Sequence, residues 1–112
     1  MRLRSPTSLQ SPLGSSARRG GDDEGAAPLG RVVATPGALK LLSEIGEDPF
    51  CYIARHATGD WGDLCTYDRR QNEIALRDGL RIFSSYPVGR EYVWVITEAD
   101  RSVTTILLPE EY

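Results

Sequence analysis

One imidazole, two thiols and a scatter of arginines, hydroxyls and carboxylates are the groups in this 112-residue chain with chemistry to offer. His56 is the only side chain whose ordinary titration falls near neutral pH, so acid–base work centred on an imidazole would have to use it. Two readings are open. His56 serves as a general acid or base, or it sits near the end of a helix, where the macrodipole favours a cation. Asp60 and Asp63 flank Trp61 and Gly62. Either carboxylate can orient His56 or cap a turn, as Asp habitually does. Too few oxygen ligands lie nearby for a calcium loop. Trp61 reads as a plug over the core. Cys51 and Cys65 are too far apart for a CxxC pair or a zinc knuckle. They read as reduced thiols of a cytosolic protein, one or both packed inside.

A second set is polar and spread over the C-terminal half: Arg81, Ser85, Tyr86, Arg101, Ser102, Thr104 and Thr105. Gathered on one sheet face, such groups can grip an anion through charge-assisted hydrogen bonds. The same residues also suit an ordinary solvated antiparallel face. Arg101, within Glu98–Arg101, has Glu98 and Asp100 as near partners. Signatures of nucleotide, dinucleotide, zinc-protease and serine-hydrolase sites (GxxxxGK[ST], GxGxxG, HExxH, GxSxG) do not occur, so no cofactor and no metal are expected.

The elements that must position these residues follow from spacing and punctuation. Thr35-Pro36 opens a helix with an N-cap and a first-turn proline. Leu41, Leu42 and Ile45 share one of its faces, and Gly46 stops it. Asp48-Pro49 opens a second helix with Phe50, Ile53, Ala54 and Ala57 inward. This places His56 on the flank of that stripe, reachable by solvent. Residues 59–67 form a structured loop. Asp68 caps a third helix through about Asp78, with Ile74 and Ala75 inward, a Glu73–Arg77 pair outside, and Gly79 as stop.

Three strands follow. Leu80–Val88 alternates, Tyr92–Thr97 is β-branched and aromatic, and Ser102–Leu108 ends at Pro109. Short turns at 87–91 and 98–101 make neighbours antiparallel. The predicted fold is therefore α+β, with three short N-terminal helices packed on a three-stranded antiparallel β-meander.

Residues 1–30 are rich in Ser, Gly, Pro and Arg and contain too little apolar surface to offset ordering entropy. They are expected to be a disordered tail, leaving 31–112 as one α+β domain. Residues 31–112 carry nine basic and thirteen acidic groups, net −4, against +1 for residues 1–30. A domain that grips nucleic acid by its phosphates shows the opposite balance. Lys40 is the only lysine. The acidic charge is also too sparse for a DNA mimic. No apolar run approaches the length of a spanning helix, so neither membrane nor secretion is expected.

The segments RHATGDWGDL (55–64), RIFSSY (81–86) and VWVITEADRSVTTILLPEEY (93–112) resemble a family of short bacterial proteins carried on plasmids and genomic islands. Some of these are labelled type I restriction endonuclease subunit M. The resemblance covers residues 32–112. It implies a small accessory protein of a mobile element. A methyltransferase subunit needs a cofactor-binding parallel sheet and a base pocket, which these residues do not supply. A weaker likeness is one of layout. Helices followed by an antiparallel sheet, with Arg55-His56 on an early helix, are similar to the compact ribonucleases grouped with barnase, colicin nucleases and RelE-type toxins.

That likeness implies metal-independent RNA cleavage. His56 would be the acid or base, Arg81 or Arg101 would steady the phosphorane, and Ser85, Tyr86 or Thr105 would position the phosphate. Two functions are thus expected in competition. One is a non-enzymatic cytoplasmic interaction module that forms a homodimer or engages a protein partner through exposed sheet edges. The alternative is a toxin-like ribonuclease acting on RNA.

Overall fold

The computed structural model describes residues 11–12 and 28–112. Three helices, α1 (Pro36–Ile45), α2 (Pro49–Ala57) and α3 (Thr66–Asp78), precede most of the sheet. Its strands are β1 (Ser11–Pro12), β2 (Arg31–Ala34), β3 (Ile82–Val88), β4 (Glu91–Thr97) and β5 (Val103–Leu107). A short 3₁₀ turn, Pro109–Glu111, follows β5. The spatial order is β1-β2-β5-β4-β3. The fold is α+β as expected, but the sheet is mixed.

The β3–β4–β5 meander is present, with Ser84 opposite Val95 and Val95 opposite Ile106. Two strands are missing from the sequence reading: β1, within the expected tail, and β2. The longer of them is β2. It runs parallel to β5, from Arg31 opposite Val103 to Ala34 opposite Ile106. Four residues immediately before a helix cap give no alternation long enough to register as a strand, and only the parallel partner more than seventy positions away completes it. Residues 1–10 and 13–27 of the expected tail lie outside the described residues. The fold begins slightly earlier than Arg31, since Leu29 packs against the core.

The helix ends obey their caps. Thr35 Oγ1 accepts from the Ala38 N–H and Asp48 Oδ1 from the Phe50 N–H, with Pro36 and Pro49 in the first turns. Gly46 closes α1 at φ 83°, a left-handed position that a side chain would strain. For α3 the cap is Cys65, and Asp68 lies inside the first turn. Arg77 pairs with the adjacent Asp78 at 3.1 Å, in place of the expected Glu73 partner.

The inward stripes are rotated from the prediction. On α1, Ala38 and Leu42 are buried while Ile45 is exposed. On α2, Tyr52, Ile53 and His56 are buried, whereas Phe50 is 44% exposed and Ala54 is exposed. Tyr52 and His56 lie four apart and so share a face, and that face meets the sheet. His56, expected on the flank, is core, and so is Tyr52.

Two apolar clusters hold the layers together. Ala38, Leu42, Tyr52 and Ile53 meet Tyr86, Val93, Val95 and Ile106 of the sheet. Trp61, Ala75 and Ile82 form a smaller cluster. Trp61 thus fills the plug position expected of it. On the other sheet face, Phe83 meets Trp94 edge-on at 5.0 Å and Trp94 meets Tyr112 at 5.6 Å. Tyr112 reaches that face because the 3₁₀ turn folds the chain back after β5.

Candidate functional site

His56 projects from α2 into the centre of the molecule and is 1% exposed. Nδ1 lies 2.6 Å from Ser84 Oγ on β3, and Nε2 lies 2.8 Å from Thr97 Oγ1 on β4. Thr97 Oγ1 is in turn 2.7 Å from Thr104 Oγ1 on β5, which donates to the Leu29 carbonyl at 2.8 Å. This polar chain crosses the sheet from β3 to the segment entering β2.

The direction of every proton follows from the last link. Thr104 gives its single hydroxyl proton to Leu29, so Thr97 must donate to Thr104. Thr97 then has no proton left for the ring, so Nε2 carries the hydrogen and donates to Thr97. In the neutral ring, Nδ1 accepts from Ser84. Burial, joined by the nearby Arg101 charge, holds the His56 pKa down to about 4. At neutral pH the imidazole is uncharged, satisfied at both nitrogens and sealed from solvent.

The other residues singled out in the sequence are dispersed. Arg101 occupies a left-handed backbone position, φ 60°, and points its guanidinium at four carbonyls. These are Leu80 O at 2.6 Å, Ala75 O at 3.0 Å, Glu98 O at 3.1 Å and Ala99 O at 3.3 Å. It clamps the end of α3 to the β4–β5 turn. Arg81 donates to the Tyr112 hydroxyl at 3.0 Å and pairs with Glu98 at 3.4 Å. Side chains opposite one another in a ladder share a sheet face. Ser85 and Thr105, opposite Trp94 and Ile96, therefore belong to the aromatic face, while Tyr86, opposite Val93, lies under the helices.

Tyr86 donates to the Asp60 carbonyl at 2.6 Å, and burial pushes its pKa up to about 12. The Arg55 guanidinium lies 4.5 Å above its ring and grips the Asp60 carboxylate through Nε at 2.7 Å. Asp60 thus pairs with Arg55 and leaves His56 alone. Asp63 accepts from the Tyr92 hydroxyl at 3.2 Å. His56, Arg81, Ser85 and Thr105 do not meet in one cleft. Both cysteines are free and exposed, contrary to the expected packing. Among the described residues, no group of three or more His, Cys, Asp or Glu side chains is placed to hold a metal ion.

Sequence reasoning missed four polar residues that do substantial structural work. Ser84 and Thr97 had a signal: each falls on the same side as buried apolar neighbours, which asks for an internal partner. Asn72, 3% exposed, had none. It bonds the backbone of Phe83 with both ends of its amide, Nδ2 to O at 2.7 Å and Oδ1 from N–H at 3.1 Å. Glu111 accepts from Thr35 Oγ1 at 2.5 Å and the Leu108 N–H at 2.8 Å, tying the chain end to the start of α1.

The two sheet edges differ in how their backbone groups are satisfied. On β3, Asn72 takes Phe83, and the Trp61–Asp63 loop takes Ser85. The Ser85 N–H donates to Trp61 O at 3.1 Å, and its carbonyl accepts from the Asp63 N–H at 2.7 Å. The loop can come this close because Gly62 (φ 77°) has no Cβ; one would meet the Ser85 carbonyl. Pro87, next along the edge, has no N–H to offer. On β2 the outer neighbour is the two-residue β1, with Ser11 opposite Ala34 and Pro12 opposite Val33.

Comparison with protein-family models, curated proteins and solved structures finds no match.

Proposed function

We propose that this chain is a non-enzymatic interaction module, an accessory protein of a bacterial mobile element, that acts by pairing with a second copy or a protein partner. One observation carries the reading. The only imidazole is engaged at both nitrogens inside the core, and the two arginines considered for phosphate contact are engaged by carbonyls, a carboxylate and a phenol. The groups suited to chemistry hold the fold together. Exposed Tyr92 and half-buried Trp94 and Phe83 add apolar contact area on the face opposite the helices.

Size-exclusion chromatography with light scattering from micromolar to millimolar protein tests this. A concentration-dependent dimer supports it. A strict monomer that also leaves every co-encoded protein unbound contradicts it. The ribonuclease alternative has its own arm: wild-type protein incubated with several RNA pools in EDTA. Cleavage lost in His56→Ala would install that reading instead.

A further inference from the structure

The β2 edge is the place where the sheet is closed least firmly. The Arg31 N–H donates to the Ser102 carbonyl and the Thr35 N–H to the Ile106 carbonyl, both on the β5 side. In a parallel ladder alternate residues face the same neighbour, so Val32 and Ala34 direct their N–H and carbonyl groups outward. Ser11, opposite Ala34, fits the hydrogen-bonded position of an antiparallel pair. Pro12, opposite Val33, falls where no donor is needed, because the backbone groups of Val33 are turned to β5.

The pairing is two residues long. The β3–β4 hairpin is locked by a two-residue turn, Gly89 and Arg90, whereas β1 and β2 are separated by residues 13–30. A separation of that length sets no register, whereas a two-residue turn does.

We propose that the outer edge of β2 is a strand-docking site for an extended antiparallel segment, and that its resident occupant is this chain's own segment around Ser11–Pro12, held as a displaceable strand. The same segment from a second copy fits the same edge. This names the surface through which the proposed module would act, but docking at the edge does not depend on that reading. The other edge is unavailable to any strand, because Asn72, the Trp61–Asp63 loop and Pro87 occupy it.

The test uses the full chain and a synthetic peptide of residues 7–16. Ser11→Pro removes the one N–H that β1 gives to Ala34. Amide exchange at Ala34 is expected to accelerate at least tenfold, with Val95 and Ile106 unchanged. Added peptide is expected to shift Val32 and Ala34 amide resonances, and to bind the variant severalfold more tightly than wild type. The proposal is overturned if Ala34 exchange is unaltered in the variant. It is also overturned if peptide, titrated on the wild-type chain at millimolar concentration, leaves Val32 and Ala34 unshifted. Peptide docking by a chain that is otherwise monomeric and partnerless would sink the proposed function and leave this inference standing.

Discussion

The β3 side and the β2 side of this molecule solve the same problem by different means. Both end in strands with unpaired backbone groups, which in isolation invite another chain. On the β3 side, folded side chains and a loop take the place of a missing strand, and the carboxamide of Asn72 imitates a peptide unit. On the β2 side the neighbour is another stretch of backbone, two residues long. Closure by a side chain is permanent, because Asn72 is buried on α3 and cannot leave without unfolding that helix. The proposed closure by the two-residue β1 is reversible. His56 adds an interior tie on that side, joining Ser84 of β3 to Thr97 of β4 beneath the helices.

The sharpest way to break the permanent side is to remove its centre. His56→Ala leaves the Ser84 and Thr97 hydroxyls unpaired and opens a cavity between α2 and the sheet. It should cost about 3–4 kcal/mol in urea unfolding. A loss below about 1 kcal/mol would show that the polar chain contributes little.

Acid should act on the same group. The folded-state pKa of His56 is about 4, against 6.5 for a free histidine. Between these values the unfolded chain binds the extra proton and the folded chain does not. Stability is therefore complete above pH 6.5 and is lost as pH falls towards 4, by about 3 kcal/mol. Carboxylates such as Asp60, held below its usual range by Arg55, add their own slope at lower pH. The clean readout is the difference between wild type and His56→Gln, whose stability should lack the pH 4–6.5 component.

Next in size is Asn72→Ala, which strands the N–H and carbonyl of Phe83 and should cost about 2–3 kcal/mol. The freed Phe83 groups lie on the β3 edge beside the Trp61–Asp63 loop, so the variant's dimer fraction in light scattering should exceed the wild type's at the same concentration. Arg101→Ala removes four hydrogen bonds to carbonyls, but Ala75 O and Glu98 O keep backbone donors, so about 1 kcal/mol is expected by thermal unfolding.

Much of the α+β plan could be read from punctuation. Thr35-Pro36, Asp48-Pro49, Gly46 and Gly79 mark helix ends that the structure keeps, because caps depend on local geometry alone. The β3–β4–β5 meander was legible for the same reason: turns are short and their strands adjacent. What escaped depends on distant partners. β2 becomes part of the sheet through β5, more than seventy positions away, and Asn72 is intelligible only beside Phe83. His56 was misplaced because the apolar count on α2 favoured Phe50 and Ala54. The sheet instead selected the Tyr52–Ile53–His56 face, where Ser84 and Thr97 make burial of an imidazole tolerable.

Native-state amide exchange, followed residue by residue on the wild-type chain, probes the contrast between the two sides most directly. Phe83 and Ser85 amides should exchange only through global unfolding, as slowly as Val95, while Ala34 exchanges at least a hundredfold faster through release of β1. Equal protection of Ala34 and Ser85 would mean that both edges are sealed alike, and the account of a closed and an exchangeable side would be wrong.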